Sequence, residues 1–219
     1  MDGSPVGRAL AHRSSDIVSG MKLYTMLERI GFRPLAALLY KVEVNGADRI
    51  PDGPVILVAN HESVFDPWIL ALATPRPVRY MAKAELWKHR LVGAAMESFG
   101  AFPVERGTGD TTALTRAAEL LRQGNVLGIF PQGTSRQGVQ RPYHRGAARL
   151  AMSEGASLVP VGLVGTRRLP RPWGTRRTVI NVCEPIRVDQ ARPTVAAAKT
   201  LTAELERQIN RAARLDPAE

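Results

Sequence analysis

The chain has 219 residues, of which 44% are hydrophobic and 23% charged, and its formal net charge is +10. This length fits one domain with a sizeable core, and the composition excludes disordered and collagen-like proteins. The positive charge favours anionic partners, which include phospholipid headgroups, nucleic acid, phosphate-bearing substrates and an acidic carrier protein.

The predicted elements begin with an N-terminal amphipathic region. Residues 1–20 are polar, whereas residues 21–40 mix apolar side chains with lysine and arginine. This pattern predicts two short helices broken near Gly31, which either lie in a membrane interface or pack on the domain's own core. We therefore expect an N-terminal helical segment at 1–40, with a membrane-interfacial location as one of its two alternatives, and a main domain at 41–219.

Short apolar runs in the main domain predict seven strands. They fall at 42–44, 55–59, 78–82, 101–104, 126–130, 158–164 and 179–182. Asp110 can cap a helix that stops at Gly124, and Thr194 begins a terminal helix. The residues predicted to share one side of the terminal helix are Val195, Leu201, Leu205 and Ile209. Strands alternating with helices indicate a single α/β domain with a central, mostly parallel or mixed sheet flanked by helices.

A polar segment follows the predicted strand at 55–59. It begins at Asn60 and reads Asn-His-Glu-Ser-Val-Phe-Asp-Pro-Trp. His61 thus lies at the carboxyl end of a strand, where open α/β sheets form ligand crevices. Asp66, before a proline, has a helix N-cap signature, and the turn between the two residues can bring its carboxylate to the imidazole. A cluster of His, Glu, Ser and Asp at this place favours catalysis over packing.

Three further blocks follow this segment in the order typical of a known family. The second block comprises Lys83-x-Glu-Leu and a Gly-Ala-Phe-Pro-Val-Glu-Arg run that ends at Arg106. The third is Phe-Pro-Gln-Gly-Thr-Ser-Arg, ending at Arg136, and the fourth is Val-Pro-Val at 159–161. Together with the His-x4-Asp segment, they resemble the PlsC-like 1-acylglycerol-3-phosphate acyltransferase family of glycerolipid acyltransferases.

The resemblance implies an O-acyltransferase that moves a fatty acyl group from acyl-CoA or acyl carrier protein to the hydroxyl of 1-acylglycerol-3-phosphate. Neutral His61 would act as general base without an acyl-enzyme, while Asp66 would hold its tautomer and stabilise the imidazolium. Ser63 is not expected to be a nucleophile, because the Gly-x-Ser-x-Gly elbow is absent. No metal is expected, and no cofactor beyond the thioester cosubstrate.

The same resemblance implies a set of substrate-binding residues. They are Lys83, Arg106, Gln132, Gly133, Thr134 and Arg136. The cationic side chains would select the phosphate of the acceptor. The free backbone amides of Gly133 and Thr134 would bind that phosphate or the tetrahedral oxyanion.

Two departures from the family concern the acceptor. Gln132 stands where the family has glutamate, and Ser135-Arg136 reverses the usual Arg-Ser order. An alternative is therefore a relative redirected to another hydroxyl or amine, such as a glycolipid or secondary metabolite.

A second alternative is a non-catalytic basic membrane-binding protein. The segment at 166–177 carries five arginines and a tryptophan, which suits an anionic lipid surface or an acyl carrier protein. His61 and Asp66 lying apart in separate places would favour this alternative. Nucleic-acid binding is not expected, because no zinc spacing, RNA-reading block or helix-turn-helix is present.

The remaining features concern localisation. The single cysteine, Cys183, lies in an apolar run and predicts core packing in a reducing compartment. No stretch reaches the ~20 apolar residues of a spanning helix, and a signal-peptide pattern is missing at the N-terminus. We expect a cytoplasmic protein, peripheral on the inner face of the membrane.

Overall fold

The computed structural model describes residues 41–98, 100–104, 111–133, 142–168 and 177–215. Its seven strands are β1 (Val42–Asn45), β2 (Val55–Ala59), β3 (Val78–Lys83), β4 (Ala101–Val104), β5 (Val126–Ile129), β6 (Ser157–Val164) and β7 (Thr178–Val182). The helices are α1 (Asp66–Ala71), α2 (Arg90–Ser98), α3 (Thr111–Arg122), α4 (Gly146–Glu154) and α5 (Val195–Ala212). Short 3-10 turns lie at Ala47–Arg49, Ala84–Lys88 and Thr166–Arg168.

The strands form one sheet in the order β1-β7-β6-β2-β5-β3-β4. The five strands from β6 to β4 are parallel, whereas β7 is antiparallel to β6 and β1 is parallel to β7. The carboxyl ends of β2 to β6 therefore meet at one edge, which we call the carboxyl edge. Chain segments that follow these strands are brought together there.

Helices cover the sheet through two apolar clusters. The central strand β2 is fully buried, and its side chains alternate between the clusters, as the pleat of a strand requires. Val55, Leu57 and Ala59 join Ile69 and Leu70 of α1 in the first cluster. Members of the second cluster come from β2 and the helices α3, α4 and α5, among them Ile56, Val58, Leu121, Leu150, Leu205 and Ile209.

The predicted α/β domain and its seven strands are confirmed, each strand end within one residue of its predicted position. The helix that stops before Gly124 is confirmed as α3, although Asp110 itself lies outside the described residues. Thr194 is confirmed as the cap of α5, because its hydroxyl accepts a hydrogen bond from Ala197 N at 3.2 Å.

Of the four residues predicted to share one side of the terminal helix, Val195 does not reach the core. Its side chain is 73% exposed, because the first turn of α5 lies outside the packed core and burial begins at Ala198. Leu205 and Ile209 of the same predicted face are buried, and Leu201 is partly buried. Two helices, α2 and α4, were not predicted.

The predicted N-terminal helical segment at 1–40 lies outside the described residues. Within the part of the chain that the structure describes, no helix combines the length and the apolar character needed to cross a membrane.

Candidate active site

The loop from Asn60 to Asp66 follows β2 at the carboxyl edge and is fixed at its start by Asn60. This side chain is 4% exposed and bonds twice to Leu163 of the neighbouring strand β6. Asn60 Nδ2 donates to Leu163 O at 3.0 Å, and Leu163 N donates to Asn60 Oδ1 at 2.7 Å. The amide thus continues the β2–β6 ladder beyond the last backbone pair, and it sets the position from which His61 projects.

His61 and Asp66 meet within this loop. Their Nδ1 and Oδ2 atoms lie 2.8 Å apart, with 17% of the imidazole exposed and the carboxylate fully buried. Because a carboxylate oxygen accepts, Nδ1 carries the proton and Nε2 of the neutral ring carries the lone pair. Nε2 has no hydrogen-bond partner among the described residues.

The same carboxylate oxygen also holds the loop backbone. Asp66 Oδ2 accepts from Glu62 N at 2.6 Å and from Ser63 N at 2.8 Å. A carboxylate buried without such donors would carry a large desolvation cost, and these amides offset it. Asp66 Oδ1 is buried without a partner in the described residues, so the imidazole and the loop depend on one oxygen.

The helix that Asp66 begins differs from the expected one. Asp66 is the first residue of α1 rather than its cap, the cap position belongs to Phe65, and no side chain bonds to the first amides. The signature thus predicts the helix start and its proline correctly, but Asp66 lies in the first turn and does not cap it, because the carboxylate turns back to the amides of the preceding loop. The predicted approach of this carboxylate to the imidazole is confirmed.

Aromatic rings support the imidazole from behind. The ring of His61 stacks on Phe130, with centroids 4.3 Å apart and planes inclined by 25°. Phe130 in turn lies 6.3 Å from the ring of Tyr80 on β3, at 14°. Gly128 makes room for this stack, since a Cβ there would come within 2.2 Å of Tyr80 Cε1. Tyr80 and Gly128 were missed at the sequence level, because no pattern within either strand indicates that they touch.

Gln132 and Gly133 lie in the turn after β5, and their contacts run within the protein. Gln132 Oε1 accepts from His61 N at 2.7 Å, so this side chain helps to fix the loop from Asn60 to Asp66. Gly133 adopts a φ of +69°, and its amide donates to Phe130 O at 3.1 Å. The prediction that the Gly133 amide is free is therefore wrong, because it closes the turn.

The other predicted substrate-binding residues are spread along the carboxyl edge. Lys83 is exposed at the end of β3, two strands from β2 and roughly 10 Å away at ordinary strand spacing. Arg106, Thr134 and Arg136 lie outside the described residues. Their roles stay predictions, as does that of Lys83.

Most of the arginine-rich segment at 166–177 also lies outside the described residues. Its described part includes Arg167, which reaches the loop after β2 because its Nη2 lies 3.2 Å from Glu62 Oε1. This half-exposed ion pair connects the end of β6 with the residue that follows His61.

Neither Ser63 nor Cys183 has the setting of a nucleophile. The Ser63 hydroxyl is buried and accepts from Phe65 N at 3.2 Å, which tightens the loop. Cys183 is half-buried, and burial raises the pKa of its thiol, an effect that Glu184 reinforces and nearby arginines oppose. A raised pKa leaves less reactive thiolate at neutral pH.

Comparisons with known proteins agree on one family. The family model described as Acyltransferase matches residues 41–164. The chain is 30% identical over 135 residues to a chloroplastic 1-acyl-sn-glycerol-3-phosphate acyltransferase of Brassica napus, covering 59% of this chain and 39% of that protein. It is 37% identical over 134 residues to a lyso-ornithine lipid O-acyltransferase of Pseudomonas aeruginosa, covering 60% of this chain and 50% of that protein.

A solved structure shows the same fold. The crystal structure of the 1-acyl-sn-glycerophosphate acyltransferase PlsC from Thermotoga maritima matches with a TM-score of 0.68 and 24% identity, covering 95% of this chain and 87% of that one. By contrast, the chain spans only about two fifths to one half of the length of the two curated relatives above.

Proposed function

The chain belongs to the acyltransferase family, and from this premise we propose that it transfers a fatty acyl group from acyl-CoA or acyl carrier protein to the hydroxyl of 1-acylglycerol-3-phosphate. The 2.8 Å contact between His61 Nδ1 and Asp66 Oδ2 carries this proposal. It leaves Nε2 of a partly exposed imidazole as the atom that can take a proton. A purely structural histidine would not need a buried carboxylate whose second oxygen has no partner among the residues that the structure describes.

The proposed reaction proceeds in one addition and one elimination. Nε2 of His61 takes the proton of the acceptor hydroxyl while that oxygen attacks the thioester carbonyl carbon. The tetrahedral intermediate then collapses, the C–S bond breaks, and the imidazolium returns its proton to the leaving sulfur. Asp66 stabilises the imidazolium between these steps, and the ester and free thiol are released. General-base catalysis of this kind contributes roughly 10²–10⁴ in rate.

The acceptor phosphate is proposed to contact cationic side chains at the carboxyl edge. Lys83 is described there, at the end of β3, and Arg106 and Arg136 follow β4 and β5 in the sequence. Phosphate between such groups would receive charge-assisted hydrogen bonds, which favour a phosphorylated acceptor over a neutral glyceride. The reaction as proposed uses no metal and no cofactor other than the thioester.

The first test follows the thiol that the reaction releases. Purified protein given 1-acylglycerol-3-phosphate and acyl-CoA is expected to release free thiol, and His61→Ala is expected to lower the rate roughly 10²- to 10⁴-fold. His144→Ala is a matched control, because this histidine side chain is exposed and only its backbone amide, which the substitution retains, bonds to Pro131 O in the turn after β5. Thiol release that survives His61→Ala would reject the base assignment.

A second candidate function keeps the chemistry and changes the acceptor. Two observations favour it: Gln132 replaces the family glutamate, and a relative 37% identical is named for a lyso-ornithine lipid rather than a phosphate ester. Because Gln132 Oε1 is used by His61 N, its Nε2 side presents a hydrogen-bond donor where glutamate would present an oxygen. Such a donor suits an acceptor with a carboxylate or amide oxygen.

An acceptor panel separates the two candidates. Product formation is measured by mass spectrometry with lysophosphatidate, lyso-ornithine lipid and a lysoglycolipid, each with acyl-CoA and with acyl carrier protein as donor. A strong preference for lysophosphatidate removes the second candidate, and a strong preference for the ornithine lipid removes the first. Gln132→Glu is expected to shift the preference toward lysophosphatidate if the second candidate is right.

The proposed location is the cytoplasmic face of a membrane, where the protein would be peripheral. A lysolipid acceptor is held in a bilayer by its acyl chain, so a protein that acts on it must approach the headgroup region. The high positive charge of the chain favours an anionic surface.

A further inference from the structure

The segment after β3 carries an unusual set of exposed side chains. Leu91 is 88% exposed, Val92 39% and Leu86 37%. Three large apolar residues within seven positions make a local patch rather than the scattered exposure that is ordinary on protein surfaces. A fourth, Val64, is 69% exposed in the loop after β2, at the same edge of the sheet.

Cationic side chains accompany this patch. Lys83, Lys88 and Arg90 are exposed, and none of them forms an ion pair with a described residue. The acidic Glu85 is the one exposed carboxylate between Lys83 and Val92, which leaves the segment net positive. We call the set of Lys83, Leu86, Lys88, Arg90, Leu91 and Val92 the apolar–basic surface.

Trp87 fixes the apolar–basic surface from within. Its Nε1 donates to Glu97 near the end of α2 at 3.0 Å. Gly93 lies directly against the indole, where a Cβ would come within 3.0 Å of Trp87 Cδ1. The turn at Ala84–Lys88 is thus folded back on α2, and Leu86 and Leu91 stay exposed on an ordered backbone. Because this backbone is already ordered, binding through the two leucines would lose little conformational entropy.

From this arrangement we propose that the apolar–basic surface docks on an anionic lipid bilayer, with Leu86 and Leu91 in the interface and Lys88 and Arg90 against lipid headgroups. Apolar side chains flanked by lysine and arginine are the composition that interfacial segments use. Long cationic side chains reach headgroups while their stems cover apolar surface. Because β3 ends at the same sheet edge as β2, two strands away, this contact would bring the loop from Asn60 to Asp66 near lipids in the membrane, which is the part of the inference that rests on the proposed function.

Vesicle co-sedimentation of the full chain tests the proposal without any acyl transfer. The wild-type protein is expected to bind phosphatidylglycerol vesicles and to bind phosphatidylcholine vesicles weakly. Leu91→Glu is expected to lower the first affinity about tenfold or more, since it replaces an inserted apolar side chain by a charge that anionic lipid repels. Lys88→Glu with Arg90→Glu is expected to lower it roughly 30-fold or more.

Matched controls come from the opposite edge of the sheet. Val195→Glu places the same charge at a valine that is 73% exposed. Arg192→Glu with Lys199→Glu repeats the double charge reversal at exposed positions near α5. Both controls are expected to bind within about twofold to threefold of wild type, and circular dichroism with thermal melts checks folding of every variant.

Several outcomes would overturn the proposal. These are wild-type binding that does not distinguish the two lipids, Leu91→Glu binding like wild type, and controls as weak as the surface variants. If Lys88→Glu with Arg90→Glu raised the KM for acyl carrier protein and left vesicle binding intact, the surface would be a carrier-protein site instead. Loss of thiol release with vesicle binding retained would reject the proposed function and leave this inference standing.

Discussion

Two segments at the same sheet edge, one after β2 and one after β3, are built in opposite ways. In the loop from Asn60 to Asp66, polar side chains turn inward and bond to backbone amides or carbonyls. In the apolar–basic surface, by contrast, the apolar and cationic side chains turn outward. The difference shows that the first segment is suited to holding the His61 ring in one orientation. The second is suited to contact with a lipid bilayer, as proposed above.

Asp66→Asn is expected to cause the largest loss of acyl transfer. Because it should leave vesicle binding unchanged, it separates the roles of the two segments most clearly. Asparagine keeps an acceptor oxygen for the loop amides but loses the charge that stabilises an imidazolium, so the rate should fall roughly 10²- to 10⁴-fold. Thiol release measures the rate, and vesicle binding should stay at the wild-type level. Asp52→Asn, at an exposed residue before β2, is the matched control. A variant that lost vesicle binding in parallel would show that the two segments are not independent.

Gly128→Ala tests the strand that connects the two segments. The added methyl would meet Tyr80 Cε1 at 2.2 Å, and Tyr80 lies on β3, which also leads to the apolar–basic surface. Displacing this ring should destabilise the fold by about 1–3 kcal/mol and disturb the Phe130 ring behind His61. Denaturant unfolding measures the loss.

The control for Gly128→Ala is Gly146→Ala, where a Cβ meets nothing within 4 Å. Combining Gly128→Ala with Tyr80→Leu should cost less than the sum of the single changes, because each relieves the same contact. Strict additivity would show that Gly128 and Tyr80 do not share this contact.

Gln132→Leu should lower the rate of thiol release less than Asp66→Asn does, at a cost in stability no larger than that of Gly128→Ala. It removes the acceptor of the His61 amide, and an unpaired amide of this kind costs about 1–3 kcal/mol. Part of that cost should appear as a lower kcat, since the loop loses one of its restraints. Gln132→Glu retains an oxygen and should keep kcat within a few-fold, so equal losses in both variants would contradict the positioning role.

Glu62→Gln should have the smallest effect of the four. The pair with Arg167 is substantially exposed, and exposed pairs contribute at most about 1 kcal/mol. Thiol release should stay within about twofold of wild type. A loss of tenfold or more would place Glu62 with the inward-facing groups of its loop rather than on the surface.

The parts of the fold that sequence predicts well are those with strong local signals. The strand at Val55–Ala59 is an unbroken apolar run, and Thr194 precedes a long periodic helix. Helix α4 was not predicted because its buried face is made largely of alanine, as at Ala147, Ala148 and Ala151. Alanine differs too little in hydrophobicity from the residues of the exposed face to give a clear helical period. Periodicity places Val195 on the same side as Leu205 and Ile209 but cannot show that the first turn of α5 lies outside the core.

The candidate site was predictable where its residues are close in sequence. His61 and Asp66 lie five residues apart, so a short turn sufficed to predict their contact. Gln132 bonds to His61 across 71 positions, and its partner there is a backbone amide, which no motif specifies. The stack of Tyr80 and Phe130 likewise depends on which strands are neighbours. The sequence predicts a mostly parallel or mixed sheet but not the order of its strands.

The oxygen that Asp66 shares among three donors couples the order of the loop to the orientation of the imidazole. If the loop opens, the His61 ring loses its carboxylate partner in the same event. Under the proposed mechanism, His61 is therefore a positioned base only in the folded loop, and a partly folded chain should hydrolyse little thioester.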